Sequence, residues 1–250
     1  MGRGWVAAVV VGAGCAQLLG LEDVELEGPP MFSVAASSFT MGCGDVPASC
    51  DTDELPTHEV TVSRFEIDET EVSRADYQRC VDAGVCLPAS CAPGADDADL
   101  PVTCVSWYQA EIYCQRLGKR LPTEAEWEKA ARGPNDGRPY PWGTDAPTCM
   151  HANHSGCTGN PDPVGTHPLG RSPYGPLDLA GNVAEWVADL YDAAYYTDSP
   201  VEDPVGPEMG VNRVQRGGGF GSGPGGIRVS TRDGYDPTRT DPTTGFRCAR

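Results

Sequence analysis

The sequence predicts a single α+β domain, rich in disulfides and in irregular chain. Three observations carry this. Ten cysteines besides Cys15 form an even set in a chain of 250 residues. Hydroxyl-led helix starts follow one another at Ser73, Ser106 and Thr123. The 31 glycines and 23 prolines leave long stretches in which neither helix nor strand can run far. A chain of this length supplies one sizeable core and demands no second.

At the N-terminus, Met1 to Arg3 carry positive charge ahead of the apolar run from Trp5 to Ala13, and Gly12-Ala13-Gly14-Cys15 is a small-residue cleavage site ending in cysteine. The run is too short to span a bilayer as a stable helix. It resembles a bacterial lipoprotein signal, in which Cys15 becomes the lipidated first residue. Gly12 stands where that motif usually has leucine, so an ordinary signal peptide with Cys15 unmodified is the other reading. Both readings place the mature chain outside the cytoplasm, as an envelope lipoprotein of the periplasm or outer membrane, or as a secreted protein. Residues 1–14 are then the signal, 15–30 an acidic tether and 31–250 the folded domain.

Residues 57–70 (THEVTVSRFEIDET) alternate apolar and polar side chains at Val60, Val62, Phe65 and Ile67, with a phase break near Arg64, as two short half-buried strands would. Helices follow. Ser73 with Asp76, Ser106 with Gln109 and Thr123 with Glu126 place an N-cap hydroxyl three residues before a polar side chain, and the latter two pairs are capping boxes. Gly84, Gly118 and Gly133 stand where a left-handed C-terminal residue is needed. Trp107, Ala110, Cys114 and Leu117 share one face of the second helix, as do Trp127, Ala130 and Ala131 of the third, whose glutamates are expected to face water or hold neighbouring backbone. Beyond Gly133 turn formers dominate, and strand-like pieces occur only around Arg213 to Gln215, Ile227 to Thr231 and Gly245 to Cys248.

With 36 acidic and 18 basic side chains the net charge is −18, which argues against nucleic acid or an anionic membrane surface as partner, because the phosphate term is repulsive. Cations are the natural counterparts, although dispersed acidic charge also keeps a secreted protein soluble. Membrane attachment is expected only through a lipid at Cys15, and the protein is expected to be a monomer. The cysteines suit an oxidising compartment. A zinc cluster is not signalled: no C-x-x-C pair occurs, and His58, His151, His154 and His167 stand at no zinc-ligand spacing with the cysteines.

Residues 102–133, VTCVSWYQAEIYCQRLGKRLPTEAEWEKAARG, together with YPWG at 140–143, LDLAGNVAEW at 177–186, RVQRGGGF at 213–220 and GFRCA at 245–249, resemble in order the motifs of the formylglycine-generating enzyme, or sulfatase-modifying factor, family. FTMG at 39–42 and HEVTVSRFEIDETEVSRADY at 58–77 resemble its N-terminal part. The resemblance covers about Phe32 to Arg250. It implies a variant of the C-type-lectin-like fold and a cysteine-oxidising activity that uses copper(I) held by two thiolates, a soft ligand pair suited to that ion.

The positions that match those two cysteines are Ser222 and Ile227, and no cysteine lies between Cys157 and Cys248. Copper is therefore not expected and no catalytic residue is assigned. A family disulfide is also absent, its positions being Ala131 and Arg232, whereas a second is retained as Cys114 with Cys248. Closing a loop of about 135 residues would stabilise by roughly 4–5 kcal/mol in the chain-entropy model. Cys43 with Cys50 and Cys149 with Cys157 are expected as local loop closures, and Cys80, Cys86, Cys91 and Cys104 make two bridges whose pairing stays open.

The resemblance further implies structural calcium, with Asp178 and Glu185 giving side-chain oxygen and Gly181 and Val183 backbone carbonyls. Ala184 stands where the family usually has tryptophan. A second ion would use Asn153 and the carbonyl of His154, next to a shortened segment from Thr158 to Asp162. Two functional readings follow: a non-catalytic lipoprotein that binds a peptide or an envelope protein, and a family oxidoreductase or an enzyme of divergent chemistry using Ser222, Arg228, Arg232 and Asp233. A histidine beside Ser222 would favour the second.

Overall fold

A computed structural model describes residues 27–44, 50–91, 97–134 and 137–250. The expected signal and most of the tether, including Cys15, lie outside them. Two antiparallel ribbons come first: β1 (Met31–Val34) pairs with β4 (Phe65–Asp68), and β2 (Ser37–Met41) with β3 (His58–Val62). The alternation read at 57–70 is thus two strands, each joined to an earlier partner that sequence reading did not place.

Helices α1 (Arg74–Asp82), α2 (Trp107–Arg116) and α3 (Glu124–Arg132) begin where the capping chemistry put them. The hydroxyls of Ser73, Ser106 and Thr123 accept from the amides of Asp76, Gln109 and Glu126, and both capping boxes close. Each relieves amide donors that have no partner inside the helix. Gly133 ends α3 at φ 78°, where an added Cβ would meet Pro173 at 2.5 Å, so only glycine fits.

The second half forms a four-stranded sheet in the order β7-β6-β5-β8, made of β5 (Ala184–Leu190), β6 (Arg213–Arg216), β7 (Arg232–Tyr235) and β8 (Thr244–Phe246); β8 runs parallel to β5 and the other pairs are antiparallel. Two differences from the sequence expectation stand out. The strand expected at Ile227 to Thr231 is instead the end of a 3₁₀ turn, Pro224–Ile227, and the strand begins at Arg232. The inner strand β5 had no sequence signal, because AEWVADL is buried on both faces and so lacks a two-residue alternation.

That strand divides the core. Trp186 points into a cluster with Val72, Tyr77, Trp107, Tyr113 and Phe246 under α1 and α2, while Val187 points into the cluster of Val34, Phe39, Val60, Val62, Trp127 and Val214 under α3 and the ribbons. The indole N–H of Trp107 donates to the Val187 carbonyl at 2.7 Å and that of Trp186 to Val105 at 3.2 Å, so neither polar edge is left unpaired. Five disulfides join Cys43–Cys50, Cys80–Cys86, Cys91–Cys104, Cys114–Cys248 and Cys149–Cys157, which settles the pairing the sequence left open. Among the described residues no helix is long and apolar enough to cross a membrane.

Helix α3 is buried on every side, so its glutamates do not face water; of the two alternatives, Glu126 and Glu128 hold backbone, accepting from the amides of Thr123 and Gly42 at 2.8 and 2.9 Å. Glu128 bonds Arg132 at 2.9 Å and Arg216 at 2.5 Å, and Glu124 holds Arg232 through two bonds of 2.7 and 2.8 Å. Arg132 is the i,i+4 neighbour of Glu128, but Arg216 and Arg232 come from segments up to 108 residues away, so no local pattern could announce those two. Arg232 thus ties β7 to α3 through its ion pair with Glu124.

Candidate functional site

The segment after β6 folds back on itself at Gly217 and Gly218, both with positive φ. A Cβ on Gly218 would lie 2.2 Å from the carbonyl of Gly226, so the return path needs glycine. The Ser222 hydroxyl accepts from the Gly219 amide at 3.0 Å, and its carbonyl accepts from the Ser155 amide at 2.9 Å. Ile227 is fully buried in a small apolar cluster with Tyr140, Ala152 and Ala180. One matching position thus offers a hydroxyl that shapes a turn, and the other is filled with hydrocarbon.

Groups considered for divergent chemistry have structural partners. Arg228 makes two 2.7 Å bonds to Glu54, joined by Ser230, and Arg232 is held by Glu124. Asp233 is exposed on β7. The described hydrogen bonds of Ser222 run to Gly219 and Ser155, and no histidine is among them.

Below this segment the turn 178–185 holds a concentration of buried acid. Asp178 and Asn182 have φ of 58° and 57°, a left-handed conformation uncommon outside glycine and often found at functional turns. Asp178 accepts from the Gly165 amide at 2.6 Å. Glu185 is taken by Arg247 through two 2.7 Å bonds and by the Trp127 indole at 2.9 Å. Glu71, which sequence reading did not single out, is fully buried; Asn182 donates to one of its oxygens at 3.0 Å, and the other has no partner.

Burial and the neighbouring Asp178 and Glu185 push the Glu71 carboxyl well above the usual range, and burial raises Asp178 as well. Of the three, Glu185 alone is bonded to a guanidinium, that of Arg247, so burial holds Glu71 and Asp178 towards the neutral form. The orphaned Glu71 oxygen and the Asp178 carboxylate are hard donors that suit calcium at this turn, whereas both Glu185 oxygens are already held by Arg247 and Trp127. Asn153 and His154 fit less well. The Asn153 side-chain oxygen accepts from Thr158 at 3.1 Å and the His154 carbonyl accepts from the Cys157 amide at 3.0 Å, so both donors are committed within the loop.

A surface hollow of about 510 Å³ is lined by Trp107, Glu111, Arg120, Glu126, Ala188 and Val205. Val205 is 69% exposed there. Its lining comes from five separate stretches between Ser63 and Val205, which is why linear reading missed it.

The ribbons, the capped helices and the irregular second half define a C-type-lectin-like domain. Residues 18–250 match the model of the sulfatase-modifying factor enzyme 1-like domain, and the chain belongs to this family. The formylglycine-generating enzyme of Thermomonospora curvata is 33% identical over 280 residues, covering 88% of this chain and 92% of that protein. A serine/threonine-protein kinase, Pkn1 of Chlamydia trachomatis, is 35% identical over 243 residues, covering 88% of this chain but 38% of its own length. This chain thus spans well under half of that relative. Among solved structures, PvdO from Pseudomonas aeruginosa superposes with a TM-score of 0.78 at 30% identity, covering 89% of this chain and 94% of that one.

Proposed function

We propose that this protein is an extracytoplasmic lipoprotein that uses its sulfatase-modifying-factor domain to bind a peptide or an envelope-protein partner, without the oxidase chemistry of its relatives. The observation that carries this reading is the fate of the two matching positions: Ser222 is bonded into a turn and Ile227 is sealed in apolar packing. Neither can hold a soft metal, and opening room at Ile227 would require unpacking Tyr140 and Ala152. Five disulfides suit an oxidising compartment. The hollow beside Val205, partly apolar and rimmed by Glu111 and the Arg120–Glu126 ion pair, supports a partner surface.

Calcium belongs to the same reading, held by Asp178, the carbonyls of Gly181 and Val183, and Glu185, with Glu71 as a further carboxylate. It would supply charge balance to a buried turn that is held to its neighbours by the Gly181, Asn182 and Ala184 amides. Attachment at Cys15 is tested by mass spectrometry of the mature N-terminus, where an unmodified cysteine would remove the lipoprotein part. The central test incubates the folded protein with a C-x-P-x-R peptide, copper and reductant. The cysteine should remain unchanged, and its conversion to formylglycine would overturn the non-catalytic reading. Cross-linking in the native envelope should capture a partner that Val205→Asp releases; equal capture by that variant would remove the hollow from the proposal.

A further inference from the structure

The strongest unexplained group outside the turn at 178–185 is His154. Its ring is 9% exposed, and neither Nδ1 nor Nε2 has a hydrogen-bond partner. A neutral imidazole always has one donor and one acceptor, and leaving both unmet in a buried place is costly. The ring lies in the loop closed by the Cys149–Cys157 disulfide, and a ring nitrogen and both sulfurs lie within 4.8 Å of one another.

We propose that Cys149, Cys157 and His154 form a redox-gated site for a thiophilic dication of the Zn²⁺ class, closed while the sulfurs are bridged and opened by a dithiol reductant. Zinc accepts two thiolates and one imidazole with an open fourth position, at about 2.3 Å to sulfur and about 2.0–2.1 Å to nitrogen. Ligand atoms of one such ion lie roughly 3.5–3.8 Å apart, so the three groups need only a small local adjustment once the sulfurs separate. The exchange balances: the reductant gives two electrons and two protons to the bridge and itself closes to a disulfide, and metal binding then displaces the two thiol protons.

Three features make this loop suited to the role. Cys149 is exposed and Cys157 half-buried, so a reductant can reach them, whereas Cys80, Cys86, Cys114 and Cys248 are buried. The loop is also held by contacts that survive reduction: the amides of His151 and Ala152 donate to Thr148 at 2.8 and 3.2 Å, Ser155 bonds Ser222, and Ala152 packs on Ile227. Cys43, Cys50 and Glu54 form a comparable cluster, but Glu54 is fully engaged by Arg228, whose guanidinium also lies 3.1 Å from the Cys43 sulfur and would repel a cation. The sulfur absent from positions 222 and 227 is thus present in the loop packed on both.

The site goes beyond the partner-binding reading, and its test is independent of the peptide assay. Wild type is reduced with limiting dithiothreitol and titrated with Zn²⁺ against a chromophoric chelator, with calcium kept constant. One equivalent more should bind than to the oxidised protein or to reduced Cys149→Ser/Cys157→Ser, which retains the other eight bridge cysteines. His154→Asn should bind that equivalent at least tenfold more weakly. Co²⁺ substitution in the reduced wild type should show intense tetrahedral bands with thiolate charge transfer, a readout that does not depend on any variant folding. Equal uptake by wild type and the double serine variant, undiminished affinity in His154→Asn, or an octahedral Co²⁺ spectrum would overturn the proposal.

Discussion

Replacing Arg232 with leucine tests whether its buried ion pair with Glu124 holds β7 to α3. Arg232 is buried, gives two hydrogen bonds to Glu124 at 2.7 and 2.8 Å and two more to the carbonyls of Asp53 and Asp192, and lies 4.3 Å from the Tyr196 ring centroid. Its loss leaves Glu124 buried with Arg216 at 3.4 Å and the Tyr196 hydroxyl at 3.2 Å. Breaking one side of a buried pair costs about 3–5 kcal/mol, mostly through the stranded partner. At roughly 2–4 °C per kcal/mol for a domain of this size, the melting temperature should fall by roughly 6–20 °C.

The second arm is Glu124→Gln/Arg232→Leu, which removes the stranded charge and should be more stable than Arg232→Leu alone. Urea unfolding with disulfides intact measures both. Burial pushes the Glu124 carboxyl up, but Arg232 and Arg216 more than offset this and leave it below its ordinary 4.5. A depressed folded value gives stability above the unfolded value that disappears as pH falls through the folded one. The penalty of Arg232→Leu should therefore shrink below about pH 4. A loss under about 1 kcal/mol at neutral pH, or a double variant no better than the single, would refute the reasoning.

Calcium at about 100 times its dissociation constant should add about 2.7 kcal/mol of stability, seen as a calorimetric shift that chelator reverses; no shift would end the calcium reading, and Glu71→Gln should reduce it. Burial pushes Asp68 up to about 6 despite Lys119 at 2.6 Å, so this group stabilises below its unfolded value of 3.8 and that contribution is lost as pH rises through about 6. Asp68→Asn should flatten the stability profile between those limits, measured as urea midpoints across pH. Cys114→Ala/Cys248→Ala should cost roughly 4–5 kcal/mol, less to the extent that the unfolded chain is compact, and a cost under about 1 kcal/mol would show that the bridge constrains little.

What was legible in the sequence was either local or a matter of residue identity. Ser73, Ser106 and Thr123 start helices because a hydroxyl reaches an amide three residues on, and the absence of thiols at Ser222 and Ile227 can be read without coordinates. Local disulfide closures at Cys43–Cys50 and Cys149–Cys157 follow from the same short range. The sequence could not place β5, whose pattern reflects burial by two distant layers, nor the partners of Glu124 and Glu128, nor the orphaned oxygen of Glu71. His154 stands between Cys149 and Cys157 in the chain itself; what the sequence could not show is that its ring is buried with neither nitrogen bonded. Charge balance and ligand convergence are sums over groups brought together only when the whole chain closes, so the tertiary structure alone decided them.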